Sequence, residues 1–194
     1  MAGAAKPHWI DQALAVMQQS QAPLVELLAA HGCRNCTDIT GFGLLGHLGE
    51  MLAPGPDGNG IQLDAAVLSN LALPGALELL AAGHASTLAP ANAQALGLLQ
   101  RPVLGWGVQE EVEEAPIALV HAPDLADPAA ATLRQLLIDP HTCGPLLAAV
   151  PAEGAGAAIG ALHEQGFAQA AVIGQVMARS VQRNPATAQS GFQP

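Results

Sequence analysis

Thr37-Asp38-Ile39-Thr40-Gly41-Phe42-Gly43-Leu44-Leu45-Gly46-His47 is the stretch on which the reading of this chain turns. A short β-prone piece, Cys36 to Thr40, enters a glycine turn, and an apolar run from Phe42 to Leu52 follows, closed by Pro54-Gly55-Pro56. That order predicts strand, turn, helix and stop. Gly41 and Gly43 let the backbone turn tightly and approach a ligand or another domain, and a helix start behind such a turn favours an anion. Thr40 is placed to cap the helix. Asp38 has two readings: it caps the turn by accepting backbone N–H bonds, or it faces a cation. His47 and Glu50 stand three apart on one helix face, a spacing some metal pairs share, although a surface or packing role is commoner.

The same residues contain G-x-G-x-x-G, and Asp64 ends a second strand candidate, Ile61 to Asp64, where a dinucleotide fold would place its ribose-binding acid. Two features oppose a dinucleotide site. A first strand buried on both faces reads as a run of Val, Ile and Leu, whereas here Asp38 sits in the middle. The regular alternation of strands and helices that builds a doubly wound sheet is also missing.

Outward from the motif, helices are predicted over two short runs, one from Trp9 through Met17 and one from Ala22 to Leu28, and then over Gly75 to Ala82 between Pro74 and Gly83. Ala91 to Leu99 and Ala129 to Leu137 follow, the latter behind the cap and proline pair Asp127-Pro128. Ile117 to Val120 is a short strand candidate, and the acidic run Glu110, Glu111, Glu113 and Glu114 reads as a solvated face. Leu146 to Val150, Glu153 to Gln165 and Ala171 to Val176 read as strand, helix and strand, which predicts a right-handed parallel unit. From Ser180 onward the polar residues with Pro and Gly predict a disordered tail, 180–194.

The chain of 194 residues fits one domain and carries a formal charge of −10, with Lys6 as its only lysine. Nucleic acids and anionic membranes need clustered Lys and Arg, so both are poor partners. No apolar run reaches the length of a membrane span. With 3 cysteines and no secretory segment after Met1, a reducing cytoplasm is the expected compartment. Cys33-x-x-Cys36 beside Cys143 raises a zinc or redox possibility, for which only His31 or His141 could supply a fourth ligand; small buried thiols are the plainer reading. Aromatic residues make up 3% of the chain, so the core is expected to pack from small aliphatics, with Trp9, Phe42, Trp106 and Phe167 as its large pieces.

Thr37 to His47 resembles the Thr-Asp-Val-Thr-Gly-Phe-Gly-Leu-Leu-Gly-His motif of the selenophosphate synthetases, with Ile39 for Val. About a hundred residues on, Asp139-Pro140-His141-Thr142-Cys143-Gly144-Pro145-Leu146-Leu147 resembles that family's Asp-Pro-Gln-Thr-Ser-Gly-Gly-Leu-Leu. Between them, Leu73 to Leu79 and Ser86-Thr87 through Asn92 follow the same pattern. The resemblance runs over 6–179 and implies an α+β domain: a three-layer α/β/α C-terminal domain of the aminoimidazole ribonucleotide synthetase type, with a mixed sheet of partly ferredoxin-like topology.

Enzymes of this family make selenophosphate from selenide and ATP, releasing AMP and phosphate, with Mg²⁺. The resemblance implies Asp38 as a metal ligand, and Thr37, Thr40, Gly41, Gly43, Asp139, Thr142 and Gly144 as residues of the substrate cleft. The family's reactive Cys or selenocysteine, its essential Lys and its glycine-rich nucleotide segment lie in an N-terminal ATP-binding domain. That domain is expected to be absent here, so the chain is expected to be inactive alone, and a homodimer is expected for a full-length protein. His141, Cys143 and Pro145 depart from the family pattern, and Pro145 removes one backbone donor. The alternatives are a binding or interaction domain that has kept the fold and lost the reaction, and a dinucleotide-binding domain.

Overall fold

The computed structural model describes residues 3–52, 59–99, 116–141 and 143–178. Helix α1 (Pro7–Met17) and helix α2 (Ala22–Ala30) open the chain, each with proline in its first turn, where a missing N–H costs nothing. Strand β1 (Asn35–Asp38) leads through the glycine turn into α3 (Gly43–Met51). Next come β2 (Asn59–Asp64), α4 (Ala65–Leu71), α5 (Ala76–Ala81) and α6 (Ala89–Asn92), which continues as a 3₁₀ turn over Ala93–Leu98. Strand β3 (Ile117–Val120), α7 (Pro128–Ile138), β4 (Leu146–Ala149), α8 (Ala155–Glu164) and β5 (Gly174–Ala178) complete the described order. The predicted acidic face, Trp106 and the predicted disordered tail lie outside the described residues.

The strands form a mixed sheet in the order β3-β2-β5 and a separate ribbon of β1 with β4. β2 runs parallel to β3, with Leu63 beside Leu119, and antiparallel to β5, with Ile61 beside Val176. The fold class is α+β, as the sequence led one to expect. The parallel unit expected over 146–176 does not form. β4 pairs antiparallel with β1, and β5 pairs antiparallel with β2 in the other sheet. Connection length limits which strands can be neighbours, but strand choice is settled by which apolar faces meet, and here both strands return to partners in the N-terminal half.

Strand β4 of the ribbon is covered on both faces. Leu147 packs into a core with Ile39, Leu44, Leu45, Leu48, Leu63, Leu133 and Leu137, whereas Leu146 and Ala148 pack against Leu24, Leu28 and Leu162 from α2 and α8. The alternation follows from the two-residue period of a strand. Leu45 and Ile117 are fully buried, each contributing roughly 1.5–3 kcal/mol of transfer free energy. Helix α1 buries none of its residues, but Trp9 lies against Gly75, where a β-carbon would run into the ring, and Lys6 Nζ sits 4.6 Å from the ring centre. Phe42, expected among the core pieces, is 56% exposed because it sits in the turn itself.

Helix α4 was not foreseen; its cap is Asp64, whose Oδ1 accepts from Ala66 N and Val67 N at 3.0 and 3.1 Å. The Val67 amide, then the His121 imidazole 3.0 Å from Oδ2, hold this carboxyl below its usual range. A lowered folded value means the charge stabilises fully above the unfolded Asp range, near pH 4, and that contribution is lost as pH falls through the folded value. Asp64→Asn can still cap but cannot titrate. Its urea midpoint should therefore fall less steeply with acid than that of the unaltered chain; superimposable acid limbs would contradict this.

Candidate functional site

The site is built where the glycine turn meets the loop after α7. Ile39 N donates to Pro145 O at 3.0 Å, and His141 N donates to Thr40 O at 2.9 Å, so the two loops are joined backbone to backbone. Gly43 has φ +67°, and a β-carbon there would lie 2.7 Å from the carbonyl carbon of Ile138. A β-carbon at Gly144 would enter the Ile39 carbonyl oxygen and approach His141 Cβ to 2.9 Å. Both glycines are thus required by close approach of chain to chain. Gly41 meets nothing within 4 Å and is exposed.

Asp38 ends β1 opposite Leu146 and is exposed. Among the described residues its carboxylate has no hydrogen-bond or ion-pair partner, so the capping role considered for it is not taken up. The helix-capping role considered for Thr40 is not taken up either: Phe42 stands at the cap position of α3, with no side-chain cap bond. Thr37 is half-buried, and its Oγ1 lies 3.4 Å from Asp38 O. Asp139 is drawn to the other side: its Oδ1 accepts from Ser86 N at 3.0 Å and lies 3.4 Å from Gln135 Nε2. Gly144 O accepts from Gln21 Nε2 at 2.8 Å, bracing the second loop from α2. Thr142 lies outside the described residues. The structure therefore brings Asp38, Thr40, Gly41, Gly43 and Gly144 to one loop pair, with the Asp139 carboxylate used in holding the loop.

Three further side chains shape the turn. Asn92 Nδ2 donates to Gly41 O at 2.8 Å and Ile138 O at 2.9 Å, tying the turn to the end of α7. His47 is buried, with Nε2 3.1 Å from Thr40 N and Nδ1 3.0 Å from Glu50 Oε2. Position 47 falls beside the buried stripe Leu44, Leu45 and Leu48, so its burial was legible in the helical period, but its bond across the turn was not. Phe42, with Gly46, Glu50, Asn92, Gln94 and Ala95, lines a shallow hollow of about 260 Å³ beside the turn.

His141 is held below the ordinary imidazole range by burial, against the pull of the Leu136 carbonyl and the Asp139 charge, with His47 adding a further push down. Cys143 adopts φ +51°, which for a residue with a β-carbon costs on the order of 1–3 kcal/mol. The thiols do not follow the buried reading: Cys36 and Cys143 are exposed and Cys33 is half-buried. Partial burial and then the neighbouring Cys33 push the Cys36 thiol up, away from thiolate. Among the described residues no three of His, Cys, Asp and Glu gather as a metal-holding group.

For Mg²⁺ the donor set fits in part. A hard ion of this kind takes one or two carboxylates and leaves its other positions to water and phosphate oxygens. Asp38 offers one unengaged carboxylate of the right chemistry, and further ligands must come from the phosphates, from water or from another protein surface. The dinucleotide reading finds no geometry of its own, since β1 is an exposed member of a two-stranded antiparallel ribbon. Among the described residues no helix is long and apolar enough to cross a membrane.

Residues 10–183 match the family model described as AIR synthase related protein, C-terminal domain. The chain is 34% identical over 148 residues to a selenide, water dikinase of Pelobacter propionicus, covering 76% of this chain and 35% of that protein. It is 30% identical over 170 residues to one of Desulfitobacterium hafniense strain Y51, covering 88% of this chain and 41% of the relative. A third, from Burkholderia pseudomallei, is 31% identical over 166 residues, covering 86% and 39%. The chain thus spans only between about a third and two fifths of the length of these relatives.

Proposed function

Since the chain belongs to the family of AIR synthase related proteins, C-terminal domain, we propose that it acts as the C-terminal lobe of a selenide, water dikinase, offering Asp38 and the two joined loops to a cleft completed by an ATP-binding lobe. The whole reaction would make selenophosphate from selenide and ATP, with AMP and phosphate as the other products, in the cytoplasm. The observation that carries this reading is Asp38: a carboxylate exposed at the end of β1, free of partners among the described residues, beside an exposed glycine turn.

In this reading Mg²⁺ would supply charge neutralisation on the phosphate oxygens. Asp38 contributes one anionic ligand, and Gly41, having no side chain, leaves the backbone open to a phosphate or to the partner lobe. Gly43 and Gly144 keep the two loops in register. Thr40 presents its hydroxyl at the same turn. The formal charge of −10 and the single lysine supply little to neutralise a nucleotide, so the cationic groups belong to the other lobe, and the chain alone should not release AMP from ATP.

The test is a chimera in which this chain replaces the matching C-terminal segment of the Pelobacter propionicus enzyme, assayed for selenide-dependent AMP release. Activity is expected, with Asp38→Asn lowering it about 100-fold through loss of a metal ligand. Equal activity of the two chimeras would refute the role of Asp38.

One observation favours a second reading, an interaction domain that no longer supports the reaction. Pro145 stands where the family motif has glycine; its carbonyl is engaged by Ile39 N, and its own nitrogen has no proton to give to a phosphate. A folded chimera that is inactive, and is revived by Pro145→Gly, would assign the defect to that nitrogen.

A further inference from the structure

The hydrogen bonds around His47 fix where its proton must sit. Glu50 Oε2 can only accept, so Nδ1, 3.0 Å away, carries the hydrogen. Thr40 N can only donate, so Nε2, 3.1 Å away, presents its lone pair. The ring is therefore neutral, and it is buried between α3 and the turn. Thr40 Oγ1 lies 3.2 Å from the same nitrogen. A proton added at Nε2 would find Oγ1 as an acceptor and leave the Thr40 amide with none.

We infer that His47 is a positioning residue whose neutral imidazole latches the Thr40 turn, so that the shape of the Asp38 loop is lost when Nε2 takes a proton. This rests on the reading of Asp38 given above, and it adds a condition for that site to work.

Four groups bear on the proton. Glu50, on α3 itself, is exposed and accepts from Nδ1. His141, from the loop after α7, opposes it when charged; burial holds His141 below the ordinary imidazole range, and Asp139 stands beside it. The Phe42 ring, 5.6 Å away and tilted by 48°, is an uncharged wall. Thr40 also receives the His141 backbone through its carbonyl, so release of its amide loosens the joint between the two loops.

The experiment follows the amide hydrogen exchange of Thr40 in this chain by NMR, between about pH 8 and about pH 5, the range in which imidazoles titrate. After correction for intrinsic exchange, Thr40 protection should fall about tenfold toward acid, the worth of one hydrogen bond, while the Leu48 and Gly49 amides, past the first turn of α3, stay protected. In H47Q, where an amide oxygen can accept but does not titrate, Thr40 protection should be flat with pH. E50Q, a change at an exposed position that still offers Nδ1 an amide oxygen, should keep the transition. H141Q should leave the transition in place, which separates the two histidines.

Flat Thr40 protection in the unaltered chain, or the same transition in H47Q, would overturn the latch. Manganese ion added as a probe should broaden the Asp38 to Gly41 signals at neutral pH and lose that effect in step with Thr40 protection. If Thr40 protection changes with pH as described but manganese broadens those signals at no pH, the latch stands and its link to a cation at Asp38 fails in this chain, while the role of Asp38 in the completed cleft is decided by the chimera.

Discussion

Gly144→Ala should lower stability by roughly 3–4 kcal/mol, seen as a fall of about 6–16 °C in thermal midpoint. The new methyl group would be driven into the carbonyl oxygen of Ile39, with His141 Cβ closing the other side at 2.9 Å. A backbone atom cannot swing aside as a side chain can. Either the end of the β1–β4 ribbon parts, giving up the Ile39 N bond to Pro145 O, or the loop shifts and Gly144 O leaves Gln21. The same strain should loosen the two loops of the candidate site, so Thr40 protection should drop with the midpoint. A change under about 1 kcal/mol would show that the loops are not in this contact.

The second large effect is expected at Asn92. Its amide nitrogen is the shared donor for Gly41 O and Ile138 O, at 2.8 and 2.9 Å. Asn92→Ala leaves both carbonyls without this partner and should cost roughly 2–3 kcal/mol in a urea titration. Asn92→Asp keeps the size but sets an anion against two carbonyl oxygens, and should cost more than the alanine variant. Should Asn92→Asp prove the milder change, the amide would have to be donating elsewhere.

The α+β class was implied by the family resemblance, whereas the glycine turn and most elements were legible because they rest on local signals: Pro7 and Pro23 in first turns, Asp127-Pro128 before α7, Gly32 and Gly166 in the left-handed conformation after α2 and α8. Strand pairing was not. Leu146 to Val150 and Ala171 to Val176 read as partners across a helix, but the strands that form, Leu146–Ala149 and Gly174–Ala178, each pair with the N-terminal half, and no local pattern encodes that. Helix α4 was missed because Asp64 was weighed as a strand end and not as the cap it proves to be.

At the candidate site the motif marked Asp38 and the two glycine loops, and the structure sets those loops together. Several assignments changed with the geometry: Phe42 turned outward, neither Asp38 nor Thr40 takes a capping role, and Asp139 spends one carboxylate oxygen on Ser86. Asn92, marked in the sequence only by the resemblance, braces two carbonyls. His47 carried a visible helical period but no visible partner, since its bond to Thr40 crosses a turn whose shape depends on Gly43 at φ +67°. Sequence spacing conveys which residues share a helix face; it does not convey what a glycine bend folds back onto that face.

Both β1–β4 and β2–β5 join residues on the order of a hundred positions apart. On a ribosome, the first strand of each pair would emerge long before its partner and wait with one row of amides and carbonyls unmet. Acquisition of the native state should therefore be late and slow, in the millisecond-to-second regime of non-local topologies, with a window in which these early strands are exposed to aggregation.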